Sequence, residues 1–221
     1  MITLRAFHND PKIKAKYLAR LLAHAKADEI IHGKGWENGK GCAVGCTLNQ
    51  YNHKAYETEL GLPEWLARLE DTLFEGQTNG ESLTFPIRFL QAIPVGADVS
   101  MVLPKFLYWL LMDDTHGVIR FATTPDTKAA VKGVGKLYQQ WVATGKRPSR
   151  SAAESAESAA ESAAESAARS AAGSAAWSAA WSAGSAAWSA AESAHYAVCA
   201  NYLLDLLAAV PVQPRNQPRA I

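Results

Sequence analysis

SAAESAESAAESAAESAARSAAGSAAWSAAWSAGSAAWSAAESA, residues 151–194, is a run of Ser-Ala-Ala-x units, and its reading decides the fold. Ala is the best helix former and Ser is only moderately worse. The run holds no Val, Ile or Thr, the residues that favour strand. It therefore predicts a helix, roughly 65 Å long if unbroken at about 1.5 Å per residue.

The repeat is mostly four residues long, against about 3.6 residues per helical turn, so the x position drifts by roughly 40° per unit. Three-residue steps at Glu154 to Glu157 and Trp181 to Gly184 reset that drift. Glu154, Glu157, Glu161 and Glu165 then share one stripe, and Trp177, Trp181 and Trp188 share the opposite one. The second stripe continues through His195, Cys199, Tyr202 and Leu206. A sustained apolar stripe implies a partner surface. The expectation is that Trp177, Trp181, Trp188 and Tyr202 pack this helix on its own domain or on a second copy, giving a homo-oligomer. Gly173 and Gly184 mark places for a bend. A flexible low-complexity linker and a flat Ser/Ala binding face are the competing readings. Five Glu and one Arg leave the run at −4, which disfavours nucleic acid as its partner.

Outward from the repeat, the 221-residue chain suffices for one ordinary domain and an appendage. The expected division is a helical domain over 1–148, the repeat helix over 149–210 and a disordered basic tail over 211–221, where Pro211, Pro214 and Pro218 fall. Three cysteines and a start without an apolar leader suggest a reducing cytoplasm. The most apolar run, residues 101–112, is too short to cross a membrane.

Within 1–148, Asp10-Pro11 predicts a helix start, with the helix running to about Ile31. Leu62, Leu66, Leu69 and Leu73 predict another, opened by Pro63 and closed by Gly76. Shorter helices are expected at 85–93 and 99–112, the second apolar all round and hence central to the core. Thr124-Pro125 opens a helix striped by Ala130, Val134, Leu137, Tyr138 and Trp141 and stopped by Gly145. The fold class expected is all-α, a compact helical domain followed by a long Ala/Ser-rich helix.

Residues 32–50 break the helical pattern with Gly33, Gly35, Gly39, Gly41 and Gly45. Close glycines let a backbone turn sharply or approach a ligand. Neither a Walker loop nor a dinucleotide fingerprint is matched, since Lys34 and Gly41 break the first and Gly45 comes one residue late for the second. A looser nest of amides with Lys40 suits an anion. The candidate ligand-binding residues are Trp36, Lys40, Gly41, Cys42, Cys46, Thr47, His53 and Tyr56.

Cys42 and Cys46 also invite a zinc site completed by His24, His32 or His53, but Cys-x-x-x-Cys without a second pair is a weak signature, and neither metal nor cofactor is expected. A nucleophilic Cys42 or Cys46 served by His53 is the enzyme alternative. Glu57, Glu59, Glu64, Glu70, Asp71 and Glu75 include candidates for acid/base work, although most fall opposite the Leu stripe, as a solvated face would. Asp113, Asp114 and His116 form a compact polar trio that reads equally as a site or a turn.

Residues 36–47, WENGKGCAVGCT, followed by Tyr56 to Gly61 and Leu66 to Asp71, resemble a family of uncharacterised bacterial and phage proteins over roughly residues 5–145. The Ser-Ala-Ala-Trp units resemble tails on proteins labelled as immunity proteins. Together the two resemblances imply a role in phage–bacterium conflict, and the family carries no activity to transfer to this chain. The expected function is a non-enzymatic, oligomeric, cytoplasmic binding protein taking a small nucleotide-like ligand or a defence or toxin protein.

Overall fold

The computed structural model describes residues 4–77, 79–149, 151–152 and 177–212. The Glu stripe of the repeat, Gly173 and the expected disordered tail lie outside the described residues, apart from Pro211 and Val212. The protein is mainly α-helical, with one two-stranded antiparallel sheet among the described residues. It divides into two compact units: Met1–Val102 with Tyr196–Ile221, and Leu103–His195. The composition boundary at residue 148 and this division do not coincide.

The first unit opens on a left-handed turn at Phe7, His8 and Asn9, with φ of 54°, 51° and 61°. Such a run costs roughly 1–2 kcal/mol per residue. It is offset by full burial of Phe7 and by backbone bonds from Ala6 to Ala97 (3.0 Å) and from Gly96 to Ala6 (2.8 Å). Helix α1, Pro11–Lys26, starts as expected, with the Asp10 carboxylate accepting the Lys12 amide. It ends five residues before Ile31, because Asp28 turns left-handed and Ile30 bridges Gly41. The amide of Ile31 then donates to Gly41 (2.8 Å) rather than back along a helix.

Strands β1, Trp36–Glu37, and β2, Lys40–Gly41, form a hairpin with Asn38 and Gly39 at positive φ. Three short or medium helices follow: α2, Ala43–Leu48; α3, Ala55–Glu59; and α4, Glu64–Gly76. Along α4 the buried residues are Leu66, Ala67, Glu70, Leu73 and Phe74, so a carboxylate lies on the apolar face and Leu69 is only half-buried. Helices α5, Asn79–Ser82, and α6, Phe85–Ala92, lead to the end of the unit's first segment. The core gathers Phe7, Tyr17, Leu21, Tyr56, Leu66, Phe74, Phe85 and Phe89, all fully buried or nearly so.

A 3-10 turn at Val99–Met101 leads into α7, Val102–Met112, which belongs to the second unit from Leu103 onward. Residues 107–112 are half-buried, so this helix is not the fully enclosed core element its composition suggests. Helix α8, Pro125–Thr144, has the expected cap: Thr124 and Thr127 exchange hydrogen bonds, and Gly145 closes it at φ 68°. The stripe Ala130, Val134, Leu137, Tyr138 and Trp141 is half-buried.

Helix α9, Trp177–Ala208, confirms the helical reading of the second half of the repeat. The side chains of Trp177, Trp181 and Trp188 are outside what is described. From Tyr196 onward α9 belongs to the first unit. The buried stripe there is Cys199, Ala200, Leu203, Leu204 and Leu207, one residue round from the expected Tyr202 and Leu206, which are half-buried. The Tyr196 ring lies flat against Gly76, where a Cβ would stand 2.3 Å from the ring, and Arg88 donates to Asn201 (2.7 Å). No described helix is long and apolar enough to cross a membrane.

Candidate functional site

The glycines of residues 32–50 serve close backbone packing. A Cβ on Gly41 would stand 2.3 Å from the Gly35 carbonyl oxygen, and one on Gly45 1.8 Å from the same atom. Gly35 in turn lies under the Tyr51 ring, 2.4 Å from where its own Cβ would be. The hairpin, the start of α2 and Tyr51 therefore stack as one block. His24 braces that block, its two ring nitrogens bound to Glu29 (2.6 Å) and Asn49 (2.9 Å) and its edge against Trp36.

This stacking fixes Cys42 at the entry to α2, its thiol directed at the Gly35 carbonyl (3.6 Å) and its sulfur close to the Asp71 and Glu75 carboxylates of α4. Burial first, and then the Asp71 carboxylate, push the Cys42 thiol well above its ordinary range. Asp71 Oδ2 accepts from Tyr51 Oη (2.9 Å) and contacts His53 Nε2 (3.1 Å). Asp71 Oδ1 is sealed from solvent and has no hydrogen-bond partner. One helical turn on, Glu75 accepts from the Gly33 amide (2.9 Å) and lies 3.3 Å from His32 Nδ1. The far nitrogen of His32 meets Ser82 Oγ (2.6 Å), and its ring stacks on Phe74 at 4.5 Å. Ligand atoms of Cys42, Asp71 and Glu75 all lie within 4.8 Å of one another.

Beneath this group is a buried pair. Tyr56 Oη donates to Glu70 Oε2 at 2.7 Å, and both residues are fully buried. Burial raises the Glu70 carboxyl to about 8, so it is protonated at neutral pH, while Tyr56 is pushed above its ordinary value. Tyr51, burdened by burial and by its bond to Asp71, rises to about 12.

Of the residues expected at a ligand site, Cys42 and His53 meet around Asp71. Thr47 and Tyr56 are buried instead: Thr47 Oγ1 donates to the Ala43 carbonyl (2.8 Å) and Tyr56 binds Glu70. Cys46 is a buried thiol directed at the carbonyls of Gly41 (3.3 Å) and Glu29 (3.5 Å), with burial raising it to about 11. Gly41 is a packing residue. Trp36 is half-buried against His24, and Lys40 is exposed on β2. Lys34, not Lys40, makes the local ion pair, with Glu37 (2.6 Å).

Tyr51, Asp71, Glu75 and His32 complete the group; His32 was a candidate zinc partner of Cys42 by residue type, whereas no spacing or motif links Tyr51, Asp71 or Glu75 to Cys42. One signal was present for α4: Glu70 falls four residues after Leu66 and three before Leu73, on the apolar face. The carboxylates of α4 are accordingly not one solvated face, since Glu70 is buried and the Asp71 side chain is 13% exposed.

The other polar trio is a turn. Asp113 Oδ1 accepts the amides of His116 (2.8 Å) and Thr115 (3.0 Å), which together hold its carboxyl below the usual range. His116 packs on Trp109. No family model matches this chain, and no curated protein or solved structure is significantly similar to it.

Proposed function

We propose that this protein is a non-enzymatic binding module whose ligand site is the polar group around Asp71, and that it works as an oligomer through the Trp half of α9. One observation carries the site: a carboxylate gripped by Tyr51 and His53 through one oxygen keeps its other oxygen shielded and unpartnered. A buried acceptor without a donor costs about 1–3 kcal/mol, a cost a ligand can relieve. Asp71 and Glu75 make the face acidic, so a ligand with hydrogen-bond donors or positive charge suits it better than the phosphates of a nucleotide-like one. In the phage setting that the resemblance implies, a basic loop of a defence or toxin protein fits the same description.

The test is native mass spectrometry of the full chain purified from cells. A co-purifying mass lost in Asp71→Asn supports the site; no bound mass, and no difference between the two proteins, sinks it. Oligomerisation is tested with Trp177→Ser, Trp181→Ser and Trp188→Ser combined. Truncation after Ser149 is unsuitable, because it also removes Leu203 and Leu207 from the core of the first unit. A monomer in both the parent and the triple variant removes the oligomer from the proposal.

The second reading, a cysteine enzyme, draws on Cys42 and His53 both lying against Asp71. Its difficulty is that the Asp71 carboxylate lies beside the thiol, helping to push it up rather than down, and engages the imidazole nitrogen. Fast alkylation of Cys42 by iodoacetamide near neutral pH would favour the enzyme; slow alkylation favours the binding module.

A further inference from the structure

We infer that Cys42, Asp71 and Glu75 are the protein ligands of a divalent transition-metal cation of zinc's class. This rests on reading the Asp71 group as the ligand site and names the ligand. The donor set is mixed, one sulfur and two carboxylates, drawn from the entry to α2 and from two successive turns of α4.

Four observations converge. The three ligand atoms lie within 4.8 Å of one another. In a tetrahedral zinc site with metal–sulfur near 2.3 Å and metal–oxygen near 2.1 Å, neighbouring ligand atoms stand roughly 3.5 Å apart. Closing the difference takes about an ångström, within the reach of side-chain torsions. Second, Asp71 and Glu75 are like charges at i and i+4, an arrangement that repels on a helix and that a cation turns to advantage. Third, Asp71 Oδ1 is shielded and unpartnered, while Oδ2 is already committed to Tyr51 and His53. Fourth, each carboxylate is oriented from behind by an imidazole: His53 holds Asp71 at 3.1 Å, and His32 with the Gly33 amide holds Glu75. Outer partners of this kind fix the direction in which a ligand's lone pairs point.

The sulfur decides the class of metal. Magnesium and calcium take oxygen ligands, whereas thiolate with carboxylate suits zinc or cobalt. Three protein donors leave a fourth tetrahedral position for water or for a donor atom of a bound partner. The Cys42 proton leaves to solvent when the cation binds.

The experiment strips the full chain with a chelator, then titrates it with zinc chloride and, separately, with cobalt chloride. One equivalent of zinc binds, and the cobalt form shows a thiolate-to-metal charge-transfer band. Cys42→Ser loses the band, and Cys199→Ser keeps it. Because Cys42 is buried, Glu75→Gln at a partly exposed side chain guards against a folding artefact; it stays folded by circular dichroism and loses zinc affinity at least as severely as His53→Gln, about 10–100-fold. Absence of zinc binding, or a cobalt band that survives Cys42→Ser, overturns the inference. If zinc fails to bind but an organic or peptide mass still depends on Asp71, the cation falls and the binding site stands. If neither binds, both fall.

Discussion

Two Asp–His groups in this chain look alike on paper and differ in kind. Asp113 and His116 are three residues apart, and the Asp113 carboxylate spends one oxygen on the amides of its own turn. Asp71 and His53 are eighteen residues apart, and Asp71 receives side chains from segments brought to it by tertiary packing. A carboxylate that closes a turn, as Asp113 does with the amides of Thr115 and His116 and the nearby Trp109 side chain, does its work within a few residues. A carboxylate gripped by remote side chains, with an oxygen shielded and unpartnered, is held in place against a cost. Proximity in sequence therefore marks the structural group here, and distance in sequence marks the candidate site.

The most severe way to break the second group is to unstack the block that carries Cys42. Gly45→Ala puts a Cβ 1.8 Å from the Gly35 carbonyl oxygen, backbone against backbone, with no flexible atom to yield. The expected loss in urea unfolding is about 3 kcal/mol or more, and a loss below 1 kcal/mol would refute the packing account.

Next in size is the buried carboxyl under the site. Glu70 sits at about 8 in the folded protein against an ordinary 4.5, so the native state holds its proton more tightly than the unfolded chain. Its contribution is full below about pH 4.5 and is lost as pH rises to about 8, on the order of a few kcal/mol across that window. Glu70→Gln should flatten this part of the stability–pH profile, measured with a chelator present. A wild-type profile already flat between pH 5 and 8 would contradict a protonated Glu70.

Asp71→Asn comes third. It weakens the grip of Tyr51 and His53, and an expected loss of about 1–3 kcal/mol with chelator present is read from thermal unfolding. The comparison sharpens with Asp113→Ala, which removes a local turn cap and should cost a fraction of the Asp71→Asn loss. Equal effects at Asp71 and Asp113 would erase the distinction drawn between them.

Much of the helical frame was legible. Asp10-Pro11, Thr124-Pro125 and Gly145 mark helix ends by cap chemistry that acts within a few residues, and all three appear as read. The Leu stripe of α4 located that helix because burial repeats with the helical period. The end of α1 was missed, since Asp28 turns and Ile30 leaves to pair with Gly41, a partner eleven residues on. On α9 the expected stripe included Cys199, which is buried, but the buried face goes on through Leu203 and Leu207 rather than the half-buried Tyr202 and Leu206, because adjacent apolar residues are told apart only by the surface they meet. Of the site, Cys42 and His53 stood out as residue types, while Asp71 and Glu75 were hidden among carboxylates that spacing alone cannot sort.

The sequence by itself determined that this is a mainly helical chain, where its capped helices begin, and that residues 32–50 depart from helix, because propensity, capping and glycine freedom are local properties. Tertiary structure alone decided that the glycines pack on one another, that Glu70 is buried and protonated, and that Cys42, Asp71 and Glu75 meet. Those outcomes depend on which remote surfaces come together, and no local preference encodes that.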